Sequence, residues 1–448
     1  MSRQRKPFLV WSASVLGLVG VMAGARAEAP ASLLRLSLED ALAMANTRAV
    51  ETLVSRERVQ QALARLTEAR SPLWPQISAG SSFSRQTKNL EATGLTFPGQ
   101  NPLIGPFNAV DLRLKITQAL FDAGAIQRLR AARAGAALSL AASEGARQDA
   151  MALVAALFLE ARQAAQALEA AEAQLEWQAA ARALARSRQT LGVASTVEEE
   201  GAIAAYAQSR HRWQAAIVEA AERRLDFAAA LGLPTTQPIL FLLEDELMDE
   251  ALPSEPEMLA AITTHPSIQA ARAQVREAQA QRAATAADGL PRVIASADSG
   301  ASGGARDTVK GTYTVGAIVS LPLFEGGRRR ASTREAASVV REREARLRDT
   351  ESHVEAKARS ALEGIRQARW LLEAANASLI AAAHELSVTQ SRRAEGTSSD
   401  LEVLRATADA ARARDAREEA LASYRLACVT LAHAMGHVEA TPGLASSR

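Results

Sequence analysis

Apolar and polar residues alternate in two short segments of the chain. From Val110 to Thr117 every second residue is apolar, and the residues between are polar or charged. The segment from Thr312 to Leu321 alternates in the same way, except that Ile318 places an apolar residue on the polar side. A period of two predicts strands with one apolar and one water-facing side. The predicted lipid-facing residues are Val110, Leu112, Leu114 and Ile116, and Tyr313, Val315 and Val319.

Two much longer segments have the pattern of helices. Residues 125–191 and 328–395 contain no proline, and their apolar residues recur at intervals of three and four. This spacing predicts coiled-coil helices that reach roughly 100 Å if unbroken. Leu153, Leu157 and Ala161 belong to the first predicted seam. In the second, Arg369 and Asn376 are polar interruptions that can set the register. A glycine-containing turn ends each segment, and a shorter helix is predicted to run back from it.

These patterns occur twice because the chain contains an internal repeat. Leu120-Phe121-Asp122-Ala123-Gly124 matches Leu323-Phe324-Glu325-Gly326-Gly327 at an offset of 203, and Pro75 matches Pro291 at an offset of 216. Each copy is predicted to begin with a helix of about thirty residues, followed by two strands and a long helical hairpin. Weaker strand patterns near residues 76–84 and 292–299 supply the first strand of each pair.

The repeat sets the predicted organisation of the chain. It consists of a signal peptide at 1–27, a first repeat at 28–234, a linker at 235–254, a second repeat at 255–436 and a tail at 437–448. The linker carries an acidic run and is interpreted as a solvated belt beside the helices.

The first residues have the pattern of an export signal. Basic residues precede a short apolar run, and Ala25 and Ala27 supply the small residues of a cleavage site. A membrane anchor is the alternative, but the run is shorter than the roughly 20 residues that span a bilayer. We therefore expect cleavage after Ala27, and no N-terminal lipid, because no cysteine follows the cut. No later uncharged apolar run approaches the length of a membrane span, so a spanning part has to consist of strands.

Charge and motif content exclude several classes of protein. Loss of the leader, which carries Arg3, Arg5, Lys6 and Arg26, changes the formal net charge from +2 to about −2. This balance argues against nucleic-acid binding. Cys428 is the only cysteine, so no intrachain disulfide forms. The six histidines show no metal-binding spacing, and no nucleotide or hydrolase motif is present. We expect no catalytic residue, metal or cofactor.

Four strands are too few to close a transmembrane barrel. Open sheet edges are not tolerated in hydrocarbon, and bacterial barrels begin at about eight strands. If the strands span a membrane, other copies of the chain have to complete the barrel.

In its order of elements the chain resembles the outer-membrane efflux protein family, the TolC-like channels. The resemblance covers essentially the whole mature chain, and its most specific residues are the two Leu-Phe motifs and the segment from Gly396 to Leu404. It implies a mainly α fold with a small transmembrane β part. It also implies a homotrimer with a shared twelve-stranded barrel in outer-membrane lipid and a helical tunnel in the periplasm.

The resemblance also implies partners and site residues. A periplasmic adaptor of an inner-membrane transporter, of the ABC, RND or MFS type, is expected to dock at Gly192, Val193, Gly396 and Thr397, although glycine is also what a tight turn requires. Glu198 and Glu402 fall where the family has inward-facing aspartates of a periplasmic gate. Arg393 and Arg405 replace a tyrosine and a second aspartate of the family pattern, so different locking contacts are expected. Glu198 is equally compatible with an acidic helix start.

The function predicted from the sequence is passive export through a trimeric duct. Because no lipidation cysteine is expected, type I protein secretion is slightly favoured over multidrug or metal efflux. The alternative is a periplasmic coiled-coil adaptor or scaffold, which would share the helical hairpins but not the paired amphipathic strands.

Overall fold

The computed structural model describes residues 33–94, 101–242, 253–304 and 309–440. The predicted signal peptide, residues 243–252 of the linker and the end of the predicted tail lie outside the described residues.

Each repeat contains the same sequence of elements. The first consists of β1 (Leu34–Leu36), α1 (Leu38–Arg48), α2 (Val50–Arg70), β2 (Gln76–Asn89), β3 (Leu103–Asp122), α3 (Ala123–Thr190) and α4 (Thr196–Ala230). The second consists of β4 (Ile239–Phe241), α5 (Glu255–Ile262), α6 (Pro266–Ala287), β5 (Arg292–Gly304), β6 (Lys310–Ser320), α7 (Arg328–Ala394) and α8 (Asp400–Met435). The two long helices begin and end within two residues of their predicted bounds.

The thirty-residue helix predicted at the start of each repeat is wrong, because each is broken into two. The breaks lie at Ala49 and His265, where ψ is 133° in both cases. The two positions match at the offset of 216, so the break is part of the repeat. In the second copy Pro266 disfavours helical backbone at the residue before it. In the first copy no proline is present, and the break lets both α1 and α2 pack on α3.

The four long strands form one antiparallel sheet in the order β2-β3-β5-β6. Leu112 pairs with Ser81 and Ala301, and Ala297 pairs with Val315. This register places all seven residues predicted to contact lipid on one face of the sheet, next to small or apolar neighbours. Ile318 lies on the opposite face, where it pairs with Ile294. Ile318, which interrupts the alternation in the sequence, therefore forms a small apolar patch with Ile294 on the neighbouring strand.

The helices lie side by side in two layers, which we call tiers, and their order follows that of the strands. In the tier next to the sheet the order is α2-α3-α6-α7, and in the tier toward the turns it is α4-α3-α8-α7. In all three layers β2, α2 and α4 form one edge, and β6 and α7 form the other. The described part of the chain leaves both edges open.

The main apolar core lies between the two tiers. Phe158 and Phe227 are fully buried there and stack edge-on with each other and with Phe241. Phe241 belongs to β4, which pairs with β1 in parallel. The interpretation of the linker as solvated is therefore wrong for Ile239 and Phe241, which pack against the core, whereas Leu240 between them is exposed.

One helix, α3, is long and apolar enough over an 18-residue stretch to qualify as a membrane span by length and composition. Its most apolar part includes Met151, Val154 and Phe158, all of which are buried in the core. Packing inside the protein accounts for part of this apolar stretch, of which 39% is buried.

Candidate functional site: the helical tips and the polar face of the sheet

The two helical hairpins end in turns with the same backbone geometry. At the first tip Gly192 N–H donates to Gln189 O (3.0 Å) and Val193 N–H to Arg188 O (2.9 Å). At the second, Gly396 N–H donates to Arg393 O (3.0 Å) and Thr397 N–H to Arg392 O (2.8 Å). These paired bonds satisfy the last carbonyls of α3 and α7, as in a Schellman motif. The four residues predicted for adaptor docking therefore occupy matching positions.

Both tip glycines are required by backbone conformation rather than by lack of space. Gly192 has φ of 77° and Gly396 has φ of 75°, which L-residues with side chains rarely adopt. A Cβ at either position would meet no atom within 4 Å. The space around both glycines is therefore open to a partner.

The tips differ in surface chemistry. The first exposes the side chains of Leu191, Val193 and Val197, each at least 66% exposed. The second carries Thr397 and Ser398, with carboxylates and arginines on either side. The first tip thus offers an apolar contact surface, and the second a polar and charged one.

Glu402 closes a capping box at the start of α8. Its carboxylate accepts hydrogen bonds from Ser399 N–H (2.8 Å) and Ser398 Oγ (2.5 Å). These bonds favour the charged form, with that from Ser398 the stronger, and they hold the pKa of the Glu402 carboxyl below its usual value. Glu402 is therefore an ionised, locally oriented carboxylate at the tip.

The other gate candidates have separate partners within the chain. Arg393 pairs with Asp400 across the second turn, and this hydrogen bond lowers the pKa of the Asp400 carboxyl. Arg405 lies 3.8 Å from Asp409 one turn along α8. Glu198 is exposed, and its backbone N–H donates to Ser195 Oγ. Within one chain, the structure does not bring the four candidates into a single cluster.

Sequence reasoning missed Asp400 as the partner of Arg393. The two residues are seven positions apart and flank a turn that was predicted, so the turn geometry was the available signal.

The water-facing side of the sheet carries a cross-strand ionic group. Arg113 pairs with Asp111 on its own strand and with Asp298 on β5, and donates to Thr312 Oγ1 (3.2 Å) on β6. Gly300 lies beneath this side chain, where a Cβ would approach Leu112 O to 2.1 Å. The group ties three of the four strands together on the side opposite the apolar face.

A second ionic group joins the two repeats in the tier toward the turns, which we call the lower tier. Glu418 on α8 accepts hydrogen bonds from Arg162 on α3 (3.0 Å) and from its neighbour Arg417 (2.6 Å). The Glu418 side chain is 9% exposed and that of Arg162 is 15% exposed. Arg417 also reaches Asn376 on α7 (3.4 Å), so the polar interruption in the second seam contacts α8.

Other titratable residues do not form a metal centre. Among the residues the structure describes, no group of three or more His, Cys, Asp or Glu side chains has the geometry to hold a metal ion. Cys428 is buried, and burial raises the pKa of its thiol.

Comparison with known proteins identifies the class of this fold. The sequence matches the outer membrane efflux protein family over residues 42–233 and 259–437, which is most of both repeats. The chain belongs to this family. No curated protein matches it closely enough in sequence to be reported.

Solved channel structures have the same fold at low sequence identity. The CmeC outer membrane channel of Campylobacter jejuni aligns with a TM-score of 0.76 at 17% identity, covering 89% of this chain and 85% of that one. VceC of Vibrio cholerae aligns with a TM-score of 0.69 at 18% identity, covering 89% and 96%. The open state of MtrE of Neisseria gonorrhoeae gives 0.69 at 18%, covering 89% of each chain.

These findings confirm the mainly helical TolC-like fold and the channel function. The chain is a subunit of an outer-membrane efflux channel, and its family consists of channels rather than enzymes. The alternative of a periplasmic adaptor or scaffold is not favoured.

Proposed function

We propose that three copies of this chain form one passive duct, with the sheets in the outer membrane and the helices in the periplasm. The observation that carries this proposal is the shared order of the three layers, all open at the same two edges. Two copies would supply eight strands, and three supply the twelve that the family implies. The edges join copy to copy, so β6 and α7 of one meet β2, α2 and α4 of the next.

Exposure of the edge strands supports closure by neighbouring copies. Every residue of β6 is exposed, and so are all but one of β2. In hydrocarbon, unpaired backbone groups along an open edge cost several kcal/mol each. Pairing of β6 with β2 of the next copy removes both edges. The apolar face with Leu112 and Val315 then contacts lipid, and the face with Arg113 lines water.

The internal repeat predicts the register between copies. In one chain β3 pairs with β5, and Ile116 lies opposite Ala297. Carrying this pair through the two repeat offsets places Val319 opposite Ser81 of the next copy. We expect S81C/V319C to form disulfides between subunits under mild oxidation, because facing Cβ atoms on one side of a sheet lie within bonding reach. Denaturing gels without reductant should show a ladder that ends at the trimer.

The matched control changes only the side of the sheet. In S82C/V319C the two cysteines point to opposite faces, so no ladder is expected. The buried Cys428 adds little background. Equal cross-linking of both variants, or a ladder that stops at the dimer, would contradict the proposed assembly.

The helical tips are the proposed contact with the export machinery. We place a periplasmic adaptor at Gly192, Val193, Gly396 and Thr397, and an inner-membrane ABC, RND or MFS transporter as the source of energy. The support is the open space at both glycines and the exposed apolar side chain of Val193. Type I secretion remains the slightly favoured route, ahead of multidrug or metal efflux.

Three symmetry copies of Glu402 form the proposed ionic ring of the periplasmic gate. Glutamine at this position preserves the capping acceptor and removes the charge. We expect E402Q to lower the permeability ratio of K⁺ to Cl⁻ in planar bilayers about twofold or more, since a ring of carboxylates favours cations. E373Q, which changes a carboxylate paired with Arg369 away from the tip, should leave the ratio unchanged. An unchanged ratio in E402Q would remove Glu402 from the gate.

A further inference from the structure

A belt of exposed apolar side chains lies where the sheet meets the helices. Phe324 is 88% exposed and Leu323 is 85% exposed at the β6 edge, and Trp74 is 57% exposed at the β2 edge. We call residues 70–74 and 323–330, which lie at the two open edges, the edge junction. The repeat offsets match them to residues 286–290 and 120–127, which meet inside the chain and form the inner junction.

The inner junction indicates how exposed the apolar side chains of the edge junction remain after copies of the chain pair. Both of its flanking strands are present in one chain, yet Leu120 is 63% exposed and Leu290 is 48% exposed. These residues match Leu323 and Trp74 in the repeat. Pairing of copies is therefore expected to leave the apolar side chains of the edge junction largely accessible.

The two junctions differ sharply in charge. The edge junction carries four arginines and one carboxylate, namely Arg70, Arg328, Arg329, Arg330 and Glu325. In the inner junction an uncharged residue stands at each position that matches one of these arginines. These residues are Ala286, Ala125, Ile126 and Gln127. The inner junction instead contains Asp122 and Asp288, which both pair with Arg128. Positive charge is therefore concentrated at the edges that join copies.

Helix stability does not account for these arginines. Arg328, Arg329 and Arg330 occupy the first turn of α7, which has no acidic residue and no side-chain cap. Cations at this end of a helix oppose its dipole. Arg329 donates to Gly289 O (3.1 Å) and holds α7 to the end of α6. The Arg328 guanidinium pairs with Glu325, and its side chain is still 77% exposed. The Arg70 guanidinium lies 5.5 Å from the centre of the Trp74 ring.

We propose that the edge junction binds an anionic phospholipid of the periplasmic leaflet. Arg70 and Trp74 of one copy, with Arg328 and Arg330 of the next, hold the phosphate-bearing headgroup, and Leu323 and Phe324 contact the acyl chains. The inference rests on the proposed assembly in the outer membrane. A lipid fits better than a protein because the apolar belt continues from the lipid-facing residues of β6, and because tryptophan with arginine is typical of membrane interfaces.

Quenching of Trp74 fluorescence by brominated lipids tests this site. The full mature protein, purified in detergent, is titrated with brominated phosphatidylglycerol and with brominated phosphatidylcholine of the same acyl chains. The signal of Trp74 is the difference between each protein and its W74F counterpart. We expect half-quenching at an about tenfold lower mole fraction of phosphatidylglycerol, since each arginine near an anionic headgroup favours binding. R328Q/R330Q should abolish this preference.

The control variant R130Q/R133Q removes two exposed arginines from the start of α3 and should retain the preference. Equal half-quenching by the two lipids in the unsubstituted protein would overturn the headgroup site. Loss of the preference in R130Q/R133Q as well would overturn its location. Conductance in planar bilayers separates the two proposals, because a protein that conducts while neither brominated lipid quenches Trp74 refutes the lipid site alone. A water-soluble monomer that neither conducts nor is quenched refutes both.

Discussion

Replacing Glu418 with alanine is expected to lower the free energy of unfolding by about 3–5 kcal/mol, because one partner of a buried ionic group is removed. Arg162 and Arg417 then remain in the lower tier without their shared carboxylate, and both side chains are less than one fifth exposed. The loss is expected to weaken the contact between α3 and α8, which belong to different repeats. The midpoint of urea unfolding, followed by the helical circular dichroism signal, measures the effect.

The neighbouring residue provides the control for this substitution. Glu419 is exposed on the same turn of α8, and E419A should change the unfolding free energy by no more than about 0.5 kcal/mol. Equal losses in E418A and E419A would show that the ionic group contributes nothing specific. The double variant R162M/E418M should recover part of the stability, because it also removes Arg162, the less exposed of the two arginines that lose the carboxylate, and leaves only Arg417, which still contacts Asn376.

Replacing Phe158 with alanine is expected to destabilise the protein by about 3–5 kcal/mol, the usual cost of truncating a buried aromatic residue. Its ring centre lies 5.9 Å from that of Phe227 and 5.3 Å from that of Phe241, so the cavity opens where α3, α4 and β4 meet. Thermal unfolding of the purified protein measures the loss.

Leu153 on the same helix serves as the comparison. Its side chain is 54% exposed, so L153A should cost far less than F158A. The apolar spacing alone predicts the larger loss of stability for L153A, because it places Leu153 in the helical seam. A larger loss in L153A than in F158A would contradict the packing described for α3.

This difference shows how far the pattern of α3 could predict its packing. The spacing identified the helix and its length, since those depend on local sequence. It identified the buried side only in part, since Ala161 of the predicted seam is buried and Leu153 is not. Near the middle of the molecule α3 is covered by α1 and β4 as well as by its coiled-coil partners. Met151, Val154 and Phe158 are buried there in place of Leu153. Tertiary contacts from several directions widen and shift the buried stripe.

The strands and the tips were easier to predict because their signals are local. Alternation in β3 and β6 is enough to assign their faces, and glycine with positive φ marks both turns. The ionic groups were not predictable in the same way. Arg113 and Asp298 are 185 residues apart, and Arg162 and Glu418 are 256 apart. Only strand order and helix order bring such residues together, and the repeat alone did not specify either.

The two longest helices pass from the sheet to the turns without interruption, whereas their neighbours near the sheet stop at the middle of the molecule. A continuous helix transmits a tilt along its whole length, so in the proposed trimer α3 and α7 would act as levers whose upper ends are held by the barrel. If the proposed gate opens, we expect α3 to rotate slightly about the phenylalanine core, which holds it near its middle. Motion would be resisted where α3 and α8 are joined, and a machine that pulls on the tips would work against that joint.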